Sequence, residues 1–430
     1  MPSALRSPLV RRIVSAYTIN RLGTWLGAVA LSLAVYDRTH SAIAVAGLLI
    51  AAQVLPAIAV PAVVSRAEAS QHGAELSGLY FVEFATTAAL AVLVGHFFYP
   101  AILLLVAVDG TAALAASALL RAAAARAGRR HAEEVLAEPP SAAQTQMGEQ
   151  QVNAAINVAF SATFVAGPIL GAALVAGPGA AAALYLDAAS FLVCGLMLID
   201  RRPYVEEAEG ATVTARMRAA WNYINERPAL KALLLTQTAA LVFFESAAPI
   251  EVAYAKSTLH AGDRGYGLLV TTWGLGAVLG SIVFARAEQR SLSSMISLGT
   301  LAVGLAYIGF AAAPTLVVGC VAALVGGIGN GIQWAPLISA VQLLTPASLH
   351  GRVMGALESL GAISPAIGLT LGGVLVAATS PRIAFLVVGI GAALATIAFM
   401  RVPIQPVSER DGAAETLSPD LPSIGDPAAR

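Results

Sequence analysis

The chain has 430 residues, 57% of them hydrophobic and only 12% charged, with a mean hydropathy of +0.76 and a formal net charge of zero. A soluble domain carries about 25% charged residues, because its surface must face water, so this composition excludes a large soluble α/β enzyme. The zero net charge gives no electrostatic case for a nucleic-acid partner, and Cys194 and Cys320, both in apolar segments, form no metal or redox motif.

A membrane helix needs about 20 apolar residues. Twelve such spans read along the chain, at roughly 13–35, 42–64, 76–98, 100–121, 151–176, 180–199, 231–254, 265–285, 292–312, 315–340, 353–378 and 382–401. The start, MPSALRSPLVRR, is basic and runs straight into the first span without a small-residue cleavage site, so no cleavable signal peptide is expected. Two connections are long and polar, 122–150 and 200–230, and the second divides the spans six and six. In it Met217, Trp221 and Ile224 recur at helical spacing. That fits either an amphipathic helix at the inner interface or a helical linker packed on the protein. The segment 403–430 is rich in Pro, Ser, Asp and Glu and reads as a disordered tail. The expected fold is therefore an all-α integral membrane protein, with an N-terminal bundle at 1–199, a connector at 200–230 and a C-terminal bundle at 231–402.

Orientation follows from arginine and lysine. With the N-terminus in the cytoplasm, twenty basic residues fall inside and four outside, namely Arg38, Lys256, Arg264 and Arg382; Arg21 lies within a span. The positive-inside rule then places both termini in the cytoplasm.

The two halves echo each other. Gly167-Pro168-Ile169-Leu170-Gly171 in the fifth span answers Ser364-Pro365-Ala366-Ile367-Gly368 in the eleventh. Gly47-Leu48-Leu49 and Ser65-Arg66-Ala67-Glu68 frame the second span as Gly267-Leu268-Leu269 and Ala285-Arg286-Ala287-Glu288 frame the eighth, both offset by 220 positions. Proline inside a helix removes a backbone donor, which membrane helices tolerate better than soluble ones. Paired Pro/Gly interruptions in two hydrophobic halves point to a transporter built from repeats, with two pseudo-symmetric six-helix bundles.

Several stretches carry a family resemblance. They are Asn20-Arg21-Leu22-Gly23 through Val35-Tyr36-Asp37, Ala51-Ala52-Gln53-Val54-Leu55-Pro56, Leu186-Asp187-Ala188-Ala189-Ser190-Phe191, Trp221 to Pro228 with Leu230, and Gln342, Pro346 and Gly351-Arg352-Val353 leading into Pro365 and Gly368. On these the chain resembles the major facilitator superfamily, within it the branch of enterobactin exporters and macrolide and multidrug efflux proteins. The G-P-x-x-G pattern at Gly167, Pro168 and Gly171 is similar to the family's export motif. The resemblance implies a bacterial inner-membrane, multi-pass efflux transporter, driven by proton antiport, that moves a drug-like or siderophore-like small molecule by alternating access and acts as a monomer. No P-loop, catalytic motif or cofactor motif appears, so neither ATP drive nor an enzyme is expected. The six histidines form no H-x-x-x-H pair, and no metal site is expected. One departure stands out: Ser65 replaces the family's Asp before Arg66, and the basic residues that usually follow are missing. That motivates an alternative, a transport-impaired membrane partner or sensor of the same fold.

Charges at membrane depth are functional candidates by default. Glu245 and Glu251 lie six positions apart on the seventh span, about 600° of helix rotation, so they face different sides. Glu245 near mid-membrane, Glu251 and Asp109 on the fourth span are the proton-coupling candidates. Arg21 is a cavity candidate for an anionic substrate, or else the partner of Glu83 in a buried structural pair. Asp187 reads as a helix-end structural group, and Glu358 as a gate partner of Arg352 or of the Arg66 and Arg286 loops. The resemblance places the first, fourth, seventh and tenth spans around the cavity, which makes Asn330, Gln333 and Trp334 substrate candidates beside Trp25, Gln237, Tyr254 and Trp273. Gly167, Pro168, Gly171, Pro365 and Gly368 are expected to shape helices and permit close approach rather than bind ligand.

Overall fold

In the computed structural model, residues 7–69, 75–135, 142–199, 223–286, 291–345 and 350–400 are described. Among them are twelve long helices: α1 (Pro8–Thr39), α2 (Ala42–Ala69), α3 (Glu75–His96), α4 (Tyr99–Val135), α5 (Ala142–Ala176), α6 (Ala180–Leu198), α7 (Pro228–Ala253), α8 (Gly262–Ala285), α9 (Leu292–Ala312), α10 (Leu316–Leu343), α11 (His350–Ala378) and α12 (Pro381–Met400). Ten are long and apolar enough to cross a membrane by length and composition; α11 and α12 contribute the shorter apolar stretches Ile363–Ala378 and Pro381–Ile397. The expected tail 403–430 and most of the connector, including Met217 and Trp221, lie outside the described residues.

Local chemistry sets the helix ends. Pro8 and Pro228 stand in the first turns of α1 and α7, where a missing N–H costs nothing. Ser291 and Thr315 cap α9 and α10, each hydroxyl accepting from a backbone N–H three residues on. Gly179, at φ 100°, makes the turn into α6 that a side chain would resist. The connection 122–150, expected as a loop, is largely helical: α4 runs on to Val135 and α5 begins at Ala142. Alanine, arginine and glutamate propagate a helix beyond the apolar core because their side chains lose little freedom in it.

Contacts repeat across the chain. In the first half α1 packs on α5 and α6, α2 on α4, and α3 on α4 and α6. In the second half α7 packs on α11 and α12, α8 on α10, and α9 on α10 and α12. The halves meet through a reciprocal pair of helix contacts, α2 with α11 and α5 with α8. The echoed prolines, Pro168 and Pro365, lie inside α5 and α11, which continue through them, as α7 and α10 continue through Pro249 and Pro336.

The apolar packing shows where the halves join. One buried cluster spans both halves, uniting Val29, Leu33 and Ala172 of the first with Ile250, Leu269 and Trp273 of the second. Two further clusters each stay within one half. The first gathers Val10, Ile13, Leu76, Val152 and Leu198; the second gathers Ile224, Leu230, Ile296, Leu337 and Val353. The shared core lies at the end that holds the α1–α2 and α7–α8 connections, and the separate cores lie at the opposite end. Tyr223 and Ile224, the described end of the connector, are buried in the second-half core, and the Tyr223 hydroxyl donates to the Leu344 carbonyl at 3.1 Å. This part of the connector is packed on the protein.

Candidate functional site: the interface between the halves and the buried carboxyls

At the joined end the helices approach closely because small residues remove the bulk between them. A methyl added at Gly373 of α11 would sit 2.9 Å from the Ala46 Cβ and 3.2 Å from the Ile43 Cα of α2. One at Gly267 of α8 would sit 3.1 Å from the Pro168 carbonyl of α5 and closer still to Ala172. One at Gly274 would lie 3.1 Å from Phe164. Farther along the same faces the contact is lost. On α5, Asn157 and Ala154 are exposed; on α8, Ser281 and Ala285; on α2, Gln53. Gln53, Asn157 and Ser281 lie at heptad spacing from Ala46, Phe164 and Gly274, on the helix faces that make the inter-half contacts at the joined end.

The joined end is also tied by charge. After α7 the helix widens into a π-turn, Tyr254–Thr258, which holds Lys256. Its ammonium pairs with Asp37 at the end of α1, across the halves, and with Asp263 in the first turn of α8 at 2.5 Å. Sequence reading counted Lys256 only toward orientation. Its pairing with Asp37, 219 positions away, had no local signal.

Inside the first half three carboxyls come together from three helices. Asp109 of α4 is half-buried, and its Oδ1 accepts from the hydroxyls of Thr86 at 2.6 Å and Thr87 at 3.0 Å on α3. Glu83, one turn before those threonines, is fully buried, and neither of its carboxyl oxygens has a hydrogen-bond partner. Asp187 lies within α6, not at its end as expected. It is buried against Gly23 and Gly27 of α1, where the lack of Cβ atoms makes room for its carboxyl, and its Oδ1 is unpartnered. Glu83 is within electrostatic reach of both Asp109 and Asp187.

The expected Arg21–Glu83 pair does not form. The Arg21 guanidinium lies over the Phe160 ring of α5, 5.3 Å from its centroid, and its Nε has no partner. An aromatic face holds a guanidinium at a lower desolvation cost than a fully buried carboxylate does.

In the second half the polar groups are spread out. Glu245 sits where α7 meets Gly368 of α11, and Glu251 lies within electrostatic reach of Tyr266 on α8, while Tyr307 on α9 is within reach of both. Gln333 is buried within its own half: its Oε1 accepts from Thr300 of α9 at 2.6 Å, and its amide donates to Asn330 at 3.4 Å. Trp334 is 48% exposed. Tyr254 and Trp273 are buried in an aromatic cluster with Tyr307, Phe310 and Phe385, and Gln237 is buried as well. None of these three is a free pocket wall.

Trp25 packs edge-on against Phe164, and Gly167 lies against Trp25 as Gly171 lies against Leu26 and Val29, so this stripe of α5 seats α1. Pro365 and Gly368 seat α11 on α7 in the matching place. Arg66, Arg352 and Glu358 fall in α2 and α11, but their side chains lie outside the described residues.

A family model described as the Major Facilitator Superfamily matches residues 233–424. Among curated proteins, the chain is 25% identical over 254 residues to the uncharacterized MFS-type transporter YfiS of Bacillus subtilis, covering 56% of this chain and 60% of that protein. It is 25% identical to the multidrug efflux pump Tap of Mycolicibacterium fortuitum, covering 58% and 62%, and to Tap of Mycobacterium tuberculosis, covering 62% and 64%. The chain thus spans under two thirds of the length of each of these relatives. Among solved structures, the nucleoside transporter NupG matches with a TM-score of 0.71 at 12% identity, covering 92% of this chain and 99% of that one. A bacterial homologue of the human lysosomal transporter Spinster, in an inward-facing and unoccupied conformation, matches with a TM-score of 0.68 at 12% identity, covering 92% and 97%. At such identity these likenesses establish the fold.

Proposed function

We propose that this chain, whose fold and second-half sequence support the major facilitator superfamily, is a proton-coupled efflux transporter that works by alternating access. Its spans place it in a membrane as a multi-pass protein, and the arrangement is that of a transporter rather than an enzyme. The observation that carries the reading is the pattern of cores: one shared by both halves at one end, two separate at the other. Such a molecule is closed on one side and open on the other. Rocking the halves about the α2–α11 and α5–α8 contacts would exchange the two states. The distribution of arginine and lysine assigns the open end to the cytoplasm of a bacterial inner membrane, with both termini inside.

Two domains, 1–199 and 231–402, would move against each other, joined by the connector 200–230. Asp109, Glu245 and Glu251 are the proton-coupling candidates. A carboxyl that can be neutralised is the simplest device for carrying a proton across a low-dielectric barrier. Arg21, Asn330 and Trp334 are the substrate candidates. Gln333, held by Thr300, acts through Asn330 rather than by direct contact. Arg66, Arg352 and Glu358 stand as gate candidates. The relatives described as multidrug efflux pumps support an amphipathic drug-like cargo over the siderophore class.

Inside-out vesicles with an imposed proton gradient test this reading. Addition of a transported drug-like compound should dissipate the gradient, and Asp109→Asn should stop the dissipation. If no compound of a broad amphipathic panel moves or draws protons, the reading fails. The non-transporting alternative, motivated by Ser65 in the α2–α3 motif, then takes its place.

A further inference from the structure

We propose that Glu83, Asp109 and Asp187 form a single proton-binding cluster inside the first half, in which Asp109 exchanges protons with the open space and Glu83 and Asp187 store them. This deepens the antiport reading and rests on it for the use to which the proton is put.

The argument begins with unmet charge. Glu83 is fully buried with both carboxyl oxygens unpartnered, and Asp187 is 4% exposed with Oδ1 unpartnered. A buried carboxylate is stable only when paired or well hydrogen-bonded; Glu83 has neither, and Asp187 has only the Ser190 hydroxyl of its own helix beside it. The other surroundings supply no counter-charge. From α1 come Arg21 and Tyr17, from α6 Cys194 and from α3 Tyr80. Arg21 reaches Tyr80 electrostatically, yet its guanidinium rests on Phe160. The Cys194 thiol donates to the Ala16 carbonyl at 3.3 Å and so is already engaged. The membrane span of α2 contains no titratable residue, and the one on α5 is Glu149, before the start of its apolar run. Among the described residues no cation pairs with any of the three carboxyls, and no group of three or more His, Cys, Asp and Glu is placed to hold a metal ion. Three like charges without a counter-ion in a water-poor site repel one another, and the smallest cation that relieves them is a proton.

The geometry also supplies an exchange point. Asp109 alone of the three is not fully buried, and it is joined to α3 through Thr86 and Thr87, the turn that follows Glu83. The Thr86 hydroxyl has one proton and three acceptors in range: Asp109 Oδ1 at 2.6 Å, the Val82 carbonyl at 2.9 Å and the Glu83 carbonyl at 3.1 Å. When Asp109 is ionised, Thr86 donates to it. When Asp109 is protonated, its own O–H donates to the Thr86 oxygen, and Thr86 turns its proton to the backbone. The threonine thus reports the state of Asp109 to the helix that carries Glu83. Neither Glu83 oxygen is hydrogen-bonded to Asp109, so the storage step needs an admitted water: the O–H bond of Asp109 breaks as the water takes its proton, the water passes another of its protons to a Glu83 oxygen, and the negative charge moves from Glu83 to Asp109.

Infrared difference spectroscopy of the purified full chain, titrated across pH without substrate or gradient, tests the cluster through the carbonyl stretch of protonated carboxyls. Glu83→Gln and Asp187→Asn should each remove part of that band at neutral pH. Glu83→Gln should also move the titration midpoint of the Asp109 band by about one pH unit, the size that marks coupled titration. Glu245→Gln should remove its own contribution and leave the Asp109 midpoint in place. If a carboxamide variant does not fold, Thr86→Val, which keeps all three carboxyls, should still move the midpoint. Unchanged bands in the carboxamide variants, or an unmoved midpoint in Thr86→Val, overturn the proposal. Because the titration involves no transport, coupled bands in a protein that moves no compound against a proton gradient would sink the antiport reading and spare the cluster. Proton-driven efflux with uncoupled bands would do the reverse.

Discussion

The two halves share a helix topology and differ in what they bury. In the first half, three carboxyls from α3, α4 and α6 gather in one place, two of them with unpartnered oxygens. In the second, the corresponding interior holds an aromatic stack of Tyr254, Trp273, Tyr307, Phe310 and Phe385, and its amides are hydrogen-bonded. The packing differs too: α4 lies firmly along α5, while among the described residues its counterpart α10 makes few contacts with α11. A repeated backbone therefore does not repeat its chemistry. The repeated topology sets where helices run, and the residues inside the spans then gather carboxyls from three helices in one half and keep Glu245 and Glu251 on a single helix in the other.

The most damaging way to break that comparison is to remove charge from the first half. Asp109→Asn is expected to lower gradient-driven efflux about 100-fold, the lower end of what a positioned proton-transfer group contributes. Glu245→Gln should cost about 10-fold or less on the same scale, and equal losses would erase the asymmetry. Measurement of drug efflux in inside-out vesicles at fixed substrate and varied pH gradient separates the two.

Closure at the joined end should be the next most sensitive feature. Gly267→Leu places a side chain against Pro168 and Ala172, an overpacking worth about 1–3 kcal/mol. Spin-label distances between the α1–α2 and α7–α8 connections should lengthen, and efflux should fall with them. The ion pair that spans the same end is weaker. Lys256→Ala should shift the balance of states by about 0.2–1 kcal/mol, with the shift shrinking in high salt, because Asp37 is half-exposed. The smallest effect is expected within the second half. Thr300→Val should cost about 0.6 kcal/mol of thermal stability and leave the proton dependence of efflux unaltered. A change in proton dependence there would mean that the Thr300–Gln333 pair takes part in the coupling.

Much of the architecture was legible in the sequence because membrane helices are written as long apolar runs. The limits of α3 and α6 through α10 fall within a few residues of the expected spans. The helical extension of α4 and the early start of α5 were not legible, since polar helix beyond the bilayer resembles polar loop in composition. At the site, Asp109 stood out because charge is rare at that depth. The pairing of Glu83 with Arg21 and the helix-end place of Asp187 were not what the structure shows, because their neighbours are set by which faces of α1, α3 and α6 turn together. Arg21 sits one short helix-to-helix distance from a plausible acid, and only the position of Phe160 on α5 decides where it points.

By itself the sequence determined that this protein lives in a membrane, that it is built from two similar halves, and which end of it carries positive charge. Those properties are sums over many residues, each contributing its own transfer energy independently of the others. Tertiary structure alone decided that the halves share an apolar core at one end and keep separate cores at the other, that Lys256 reaches Asp37, and that Glu83 is buried with no cation paired to it among the described residues. Those depend on pairs of residues distant in the chain, and a pair interaction exists only once packing has set the distance between its members.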